Sequence, residues 1–393
     1  IEEAMKDTST ATNRALAWCF ATAIFVSAFL VFQVQPVISK VILPWFGGSP
    51  AVWTTCMLFF QTALFAGYAY AHWSVSRFTP RWQGAIHLLL IALALCTLPI
   101  TPSPDWKPID GSWPTLRILA ILASSVGLPY FLLASSGPLL QAWFGQSFQG
   151  KSPYRLYALS NTASMLGLLT YPFLFEPALT TAGQGRFWSL VFIVFALFST
   201  WLAWRLFARL EKTSVANNST DATDSTATIP TVSRRILWLS LAAYGSAMLL
   251  ATTNHVCQDV AVVPLLWVIP LSIYLLSFII CFDNPRWYTR YWCGRGLIVV
   301  AFLSAAASKL GETLPVVLEV GAFFALLMFA CMVCHGELVR RRPDKNHLTM
   351  FYQYCAAGGA VGGIFVSLIC PQLFSAFLEM NIGLIIAYLL GLY

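Results

Sequence analysis

The sequence has 393 residues, of which 58% are hydrophobic and only 10% are charged, and its formal net charge is +7. Soluble domains carry roughly 25% charged residues, so this composition excludes a water-soluble globular protein. The basic excess fits the positive-inside pattern of membrane proteins, and no nucleic-acid partner is predicted.

Long uncharged segments recur along the chain, beginning with the 25 residues between Arg14 and Lys40. A helix of about 20 apolar residues crosses the hydrocarbon core of a bilayer and satisfies its backbone hydrogen bonds internally. The sequence therefore predicts an all-α, polytopic protein of the lipid bilayer with about twelve transmembrane helices in two halves of six. The predicted spans are 15–40, 51–73, 82–100, 116–140, 154–176, 186–208, 235–256, 260–282, 292–310, 313–335, 347–370 and 375–393.

A polar segment divides the chain near its middle. Residues 213–232 lack aromatic side chains and are rich in Ser, Thr, Asn, Asp and Ala, a composition typical of a flexible linker. It separates an N-terminal half, 1–212, from a C-terminal half, 233–393. The last span is short, so we expect the polypeptide to continue beyond Tyr393.

A faint internal repeat relates the two halves. Tyr157 precedes Pro177 by twenty residues, and Phe351 precedes Pro371 by the same interval, 194 residues further on. Such an offset, close to half the chain, is typical of two parallel repeats related by an axis along the membrane normal.

The positions of Lys and Arg predict the orientation. With the N-terminus in the cytoplasm, eighteen of the 23 Lys and Arg residues fall in cytoplasmic segments and five in outer segments. Lys and Arg in short loops resist translocation. We therefore predict a multi-pass protein of the cytoplasmic membrane with its N-terminus inside and the linker on the cytoplasmic side.

Glycines in the eleventh span predict close helix packing. Two overlapping GxxxG patterns occur there, and small residues let the backbones of neighbouring helices approach each other. The four positions are Gly358, Gly359, Gly362 and Gly363.

The segment Cys331-Met-Val-Cys334-His335 matches the pattern for covalent haem attachment. That chemistry needs the oxidising side of the membrane, whereas the predicted topology places the motif at the cytoplasmic end of the tenth span. We therefore predict no cofactor, no metal ligand and no catalytic residue.

Polar side chains within or at the edge of the bilayer are costly to place there and are functional candidates. We expect Lys40 to lie within ~4 Å of Glu176 or Asp259, with His255 nearby, at the outer mouth of a central cavity, because a buried ammonium needs an acidic partner. Alternatively, these are solvated loop-end residues and Lys40 extends to the headgroups. The candidates for binding a substrate or an ion are Gln33, Gln35, Lys40, Asn161, Glu176, His255 and Asp259.

Four segments of the chain, 32–61, 154–177, 259–282 and 334–363, resemble the membrane region of the bacterial fused major-facilitator/spermidine-synthase-like proteins. The resemblance implies a major-facilitator-like fold in the bacterial inner membrane. It also implies a cytoplasmic Rossmann-like domain or a membrane complex as a possible partner.

Two features depart from what this resemblance implies. The nucleotide motif of an aminopropyltransferase is absent from these residues, so that enzyme activity is not assigned to them. Ala71 stands where the loop between the second and third major-facilitator helices carries an acid. This departure counts against ordinary alternating-access transport.

Three functions remain open at this point. The leading hypothesis is a membrane module that anchors a partner domain or complex, or exchanges a small molecule with it. The alternative is a secondary transporter of a polyamine or another organic cation, and the third hypothesis is a membrane-embedded redox or catalytic enzyme. A polar path lined by helices 1, 5, 7 and 11 would favour transport, whereas a centre packed with Phe, Leu and Met would favour a scaffold.

Overall fold

The structure is a computed structural model, and within the part of the chain that it describes the fold is helical, with no β-strand. Hydrocarbon offers no partner for a backbone amide, so each apolar segment bonds its own backbone as a helix. The described ranges are 2–47, 50–108, 113–148, 153–216, 229–260, 266–310, 314–373 and 378–392.

Twelve long helices cross the described part of the chain, as the sequence predicts. In the first half they are α1 Glu2–Ile42, α2 Pro50–Arg77, α3 Pro80–Leu95, α4 Pro114–Ser147, α5 Tyr154–Thr170 with its continuation through Tyr171–Phe175 and Glu176–Ala178, and α6 Thr181–Ala216. In the second half they are α7 Val232–Val260, α8 Val268–Asp283, α9 Arg290–Leu310, α10 Val316–Arg340, α11 Leu348–Leu373 and α12 Leu378–Leu392.

Seven of these helices are long and apolar enough to cross a membrane by themselves. Helices α3, α8 and α12 are apolar but shorter, with 16, 16 and 15 residues. Short members are tolerated in a bundle because the bilayer thins locally around them at modest cost. The protein is therefore a multi-pass membrane protein.

The two halves repeat the same helix contacts. Helix α1 packs against α4, α5 and α6, and its counterpart α7 packs against α10, α11 and α12. The contact between α2 and α4 corresponds to that between α8 and α10. The contact between α3 and α6 corresponds to that between α9 and α12. Between the halves, α5 packs on α8 and α2 packs on α11. This pattern is that of two parallel six-helix repeats.

A π-helical turn supports the same repeat. It occupies Tyr171–Phe175 in α5 and Phe365–Ile369 in α11, and the first residues of the two turns are 194 positions apart. The interval equals the one between the aromatic and proline positions of the two helices. The faint sequence repeat therefore corresponds to a structural repeat.

Three of the four GxxxG glycines pack as predicted. A Cβ on Gly358 or Gly362 would meet the backbone of α7, and a Cβ on Gly363 would meet the side chain of Gln61 in α2. For Gly359 the prediction is wrong, because nothing lies within 4 Å of a Cβ built there. Successive helical positions are about 100° apart, so the Cβ direction of Gly359 points toward the central cavity, while the Gly359 carbonyl accepts a hydrogen bond from Ser246 of α7.

The predicted boundary between the halves falls partly outside the described residues. Helix α6 ends at Ala216 and α7 begins at Val232, while residues 217–228 of the predicted linker are not described. The division at 212 and 233 stays a prediction.

Candidate functional site

A cavity lies between the two halves, with about 1100 Å³ of space that protein atoms do not fill. Helices α1, α2, α4 and α5 line it from the first half, and α7, α8 and α11 from the second. None of the described side chains in its wall carries a formal charge. Most of the wall is apolar, and its polar groups are Ser27, Gln35, Gln61, Tyr68, Tyr130, Tyr157, Ser160, Asn161, Ser164, Ser246 and Tyr274.

Gln35 is the most enclosed amide of the cavity wall, with 3% of its surface exposed. Its Nε2 lies 3.4 Å from the Val31 carbonyl and 3.5 Å from the Tyr130 hydroxyl, and its Oε1 has no hydrogen-bond partner among the described residues. The next residue, Pro36, lacks the N–H that would bond the carbonyl of Phe32, which also lines the cavity. Within the described part of the chain, Gln35 Oε1 is therefore a buried acceptor without a hydrogen-bond partner, beside the cavity.

Asn161 also faces the cavity, but it bonds its own helix. Its Nδ2 donates to the Tyr157 carbonyl at 2.8 Å. The predicted candidate Asn161 therefore lines the cavity, with one of its amide donors used within its own helix. Gln33, two residues before Gln35, is buried with 1% of its surface exposed and is not among the residues that line the cavity.

A hydrogen-bonded bridge joins the halves at the cavity wall. Gln61 Nε2 in α2 donates to Ser246 Oγ in α7 at 3.2 Å, and Ser246 Oγ donates to the Gly359 carbonyl of α11 at 3.0 Å. The Gln61 amide can lie this close to α11 because residue 363 is glycine. A change in the packing of the halves would have to break or remake this bridge.

The end of the bundle that carries Arg340 is closed by aromatic contacts between the halves. Tyr157 stacks on Tyr352 with ring centroids 4.6 Å apart, and the Tyr352 hydroxyl donates to Gln141 Oε1 at 2.9 Å. The Tyr154 hydroxyl donates to the Pro343 carbonyl. Tyr157 belongs to the cavity wall, so these contacts form the floor of the cavity.

The opposite end, which carries Lys40, has an aromatic contact of its own between the halves. Trp53 near the start of α2 and Trp267 beside the start of α8 have ring centroids 4.1 Å apart, at an interplanar angle of 30°. Trp267 is 7% exposed. Both ends of the bundle therefore carry aromatic contacts between the halves.

The charged candidates form ion pairs near the Lys40 end. Lys40 Nζ lies 2.9 Å from Glu176 Oε1, which confirms the expected acidic partner, and both side chains are about one-third exposed. His255 Nε2 lies 3.8 Å from Glu319 Oε1. The side chain of Asp259 lies outside the described part of the chain.

The predicted placement of these groups at the mouth of the central cavity is not observed. None of Lys40, Glu176 and His255 is among the residues that line the cavity. Glu176 follows the π-helical turn at the end of α5, and Lys40 lies in the last turn of α1. The Lys40–Glu176 pair therefore links the ends of two helices of the same half.

The haem-like motif lies inside α10, which continues to Arg340, rather than at the end of a helix. Cys331, Cys334 and His335 are each 0% exposed. His335 Nδ1 lies 2.8 Å from Ser277 Oγ, and its ring stacks on Phe278 with centroids 3.5 Å apart. These contacts make the motif part of the packed core of the second half.

No protein-family model matches the sequence, and no curated protein matches it. Solved structures match over nearly the whole chain. The proton:xylose symporter XylE bound to 6-bromo-6-deoxy-D-glucose has a TM-score of 0.62 at 12% identity, with 97% of this chain and 94% of that chain covered. The fold is that of the major-facilitator transporters.

Two further transporters of other kinds share this major-facilitator fold. A bacterial homologue of the iron transporter ferroportin, in its outward-facing state with soaked iron, has a TM-score of 0.60 at 12% identity and covers 95% of this chain and 96% of its own. The POT family transporter PepTSo has a TM-score of 0.56 at 12% identity, with 96% and 95% covered. At this identity the likeness establishes the major-facilitator fold alone.

Most of the polar groups in the cavity wall were not predicted from the sequence. Gln61 carried a usable signal, since it is a lone amide in the apolar run Leu-Phe-Phe-Gln-Thr-Ala-Leu, and polar residues inside spans are functional candidates. The tyrosines carried none, because tyrosine is common in membrane helices and at interfaces. Only the fold brings Tyr68, Tyr130, Tyr157 and Tyr274 to one cavity.

Proposed function

We propose that the protein is a secondary transporter that carries a small, uncharged organic molecule across the membrane by alternating access, without the loop acid that Ala71 replaces. The observation that carries this proposal is the central cavity, whose wall combines amide, hydroxyl and aromatic groups from both halves. Sites between two repeats, near the middle of the bilayer, are where transporters of this architecture hold their substrates.

The wall chemistry favours an uncharged substrate. A cation removed from water needs an anionic partner, and its burial otherwise costs several kcal/mol. No carboxylate is present among the described lining residues, so the polyamine or organic-cation alternative loses its main support.

Gln35 Oε1 is shielded in this structure, and a shift of the wall on substrate binding would let it accept a hydrogen bond from a hydroxyl or amide of the substrate, while the tyrosine rings would pack on the apolar faces of the substrate. The ligand in the similar XylE structure, 6-bromo-6-deoxy-D-glucose, is an uncharged molecule of this kind.

A second candidate function is the anchoring or exchange module suggested by the resemblance to the fused spermidine-synthase-like proteins. Under that proposal a cytoplasmic Rossmann-like domain or a membrane complex would be the partner of this chain. The orientation with the N-terminus in the cytoplasm of a bacterial cell also remains a proposal from the Lys and Arg distribution. The cavity favours transport, because a scaffold needs no chamber between its halves; the many Leu, Phe and Met side chains in its wall are the feature that favours the scaffold.

The test begins with a ligand screen. Purified protein is melted in the presence of pentoses, hexoses, polyols, nucleosides and spermidine, and stabilising compounds are then measured for uptake into proteoliposomes. We expect an uncharged compound to raise the melting temperature and to be taken up. Stabilisation by spermidine alone would contradict the proposed substrate class, and no uptake of any stabilising compound would favour the anchoring module.

Two amides of α1 provide a matched pair of variants for the uptake assay. Gln35→Leu removes an acceptor from the cavity wall and should weaken apparent substrate affinity about tenfold, as expected for one hydrogen bond of roughly 1.4 kcal/mol. Gln33→Leu removes a buried amide that does not line the cavity and should leave that affinity unchanged. Equal losses in both variants would mean that α1 acts through stability rather than through contact with the substrate.

A further inference from the structure

A second cleft lies in the C-terminal half, between α7, α9, α10 and α12, at the Arg340 end of the bundle. It has about 540 Å³ of space free of protein atoms and shares no lining residue with the central cavity. Its wall is largely apolar and is formed by Leu237, Leu241, Val333 and Leu390. A wall of this kind suits an alkyl chain, which gains from leaving water and needs no hydrogen bond.

The mouth of this cleft is basic. Glu337 accepts hydrogen bonds from Arg290 Nε at 3.0 Å and Arg290 Nη2 at 2.9 Å. Arg341 Nε and Arg340 Nη1 lie 3.3 Å and 3.5 Å from the same carboxylate. Arg290 and Arg341 line the cleft and exceed the single carboxylate by one positive charge, and Arg340 beside Glu337 adds a second.

The carboxylate is held in place by a further donor. The Tyr288 hydroxyl donates to Glu337 Oε1 at 3.0 Å, and burial together with the nearby carboxylate raises the pKa of Tyr288. The Tyr288 hydroxyl therefore stays protonated and keeps Glu337 fixed beneath the arginines. The side chains of Arg290 and Arg341 are 38% and 33% exposed, so they remain accessible from the headgroup region.

We propose that this cleft binds one anionic phospholipid, with an acyl chain along the apolar wall and the phosphate at Arg290 and Arg341. Basic pockets between transmembrane helices bind anionic headgroups, and each arginine near an anionic lipid contributes about 1 kcal/mol. The cleft alone would accept any acyl chain, and the excess positive charge at its mouth selects the anionic headgroup. This site is independent of the transport cavity.

The experiment is native mass spectrometry of the whole chain released from nanodiscs that contain phosphatidylglycerol or phosphatidylcholine with the same acyl chains. Wild-type protein should retain one phosphatidylglycerol and prefer it over phosphatidylcholine by about fivefold or more, which corresponds to about 1 kcal/mol. Arg341→Gln at the mouth and Val333→Trp in the wall should each reduce this preference several-fold.

Arg235→Gln serves as the matched control. Arg235 lies at the same end of the bundle and donates to the Pro230 carbonyl, but it does not line the cleft. This variant should retain phosphatidylglycerol like the wild type. An equal loss in Arg235→Gln and Arg341→Gln would show general surface attraction and overturn the proposal.

Competition with a soluble anion distinguishes binding of a lipid phosphate from binding of free inorganic phosphate. Inorganic phosphate at millimolar concentration should not displace the lipid, because it lacks the acyl chain that fills the cleft. Displacement by phosphate, or retention of phosphatidylglycerol by a folded Val333→Trp variant, would overturn the lipid site. Melting in phosphatidylcholine verifies that each variant is folded.

Discussion

At the scale of single residues, neighbouring glycines of α11 have different roles. Gly358 and Gly362 lie against the backbone of α7, and Gly363 lies against Gln61 of α2, whereas Gly359 opens onto the central cavity. The GxxxG pattern correctly predicted that backbones approach closely here. It could not assign the faces, because that assignment depends on where α2 and α7 lie around α11.

This difference gives a prediction with a built-in control. Gly362→Ala places a Cβ against the Ala243 carbonyl and should destabilise the protein by about 1–3 kcal/mol through overpacking. Gly359→Ala meets nothing within 4 Å and should leave stability unchanged or slightly raised, since alanine favours helix more than glycine. Thermal melting in detergent compares the two, and a larger loss at Gly359 would contradict the assigned faces.

Other residue contacts were predictable to different degrees. The Lys40–Glu176 pair was predictable from the placement of both residues at the same end of their helices, although neither side chain is buried, so the expected burial cost is not what pairs them. The Gln61–Ser246 bridge was not predictable, because its partners are 185 residues apart and lie in different halves. Pairings across the halves require the relative position of the two bundles, which hydropathy does not encode.

At the scale of helices, the long uncharged segments of the sequence correctly predicted each transmembrane helix, but several observed helix ends differ from the predicted ones. The tenth span was predicted to end at 335, whereas α10 continues to Arg340. Arginine has good intrinsic helix propensity, and the contacts of Arg340 and Arg341 with Glu337 stabilise the last turn. A prediction based on hydropathy places the end of a helix at the first charged residues, although contacts between side chains can extend the helix further.

The contact between α2 and α8 at the Lys40 end gives a prediction about access. The experiment uses a variant that keeps Cys355 of the cavity wall and lacks the other cysteines. A membrane-impermeant maleimide is added from the Lys40 side. We expect Trp267→Ala to increase the rate at which Cys355 is labelled several-fold. The reason is that the Trp53–Trp267 contact closes this end of the bundle.

Trp204→Ala is the control for this labelling experiment, because Trp204 is 63% exposed on the outer surface of the bundle. Its removal should not alter the labelling rate. If Trp267→Ala also leaves the rate unchanged, another contact closes the Lys40 end.

At the scale of the whole molecule, composition and hydropathy were sufficient for the fold class and for the number of helices in the described part of the chain. The halves are related by a shift of 194 residues, which appears in the sequence as a few aromatic, glycine and proline positions and in the structure as matching π-helical turns. The chemistry of the cavity was not predictable, since seven helices contribute to its wall. The ionisable candidates Lys40, Glu176 and His255 do not line this cavity.

The uncharged wall of the central cavity has an energetic consequence. One elementary charge that crosses 100 mV gains or loses about 2.3 kcal/mol, and an electrically neutral cycle gains nothing. A carrier with no carboxylate, ammonium, guanidinium or imidazole in its described cavity wall, moving an uncharged solute, would only equilibrate that solute. Cellular consumption, rather than the membrane voltage, would then set the direction of flux.

We therefore expect initial uptake into proteoliposomes to be the same at zero voltage and at about −100 mV imposed by a potassium gradient with valinomycin. The final internal concentration should equal the external one. Several-fold faster uptake or accumulation at negative voltage would instead reveal a co-transported cation held outside the described wall of the cavity.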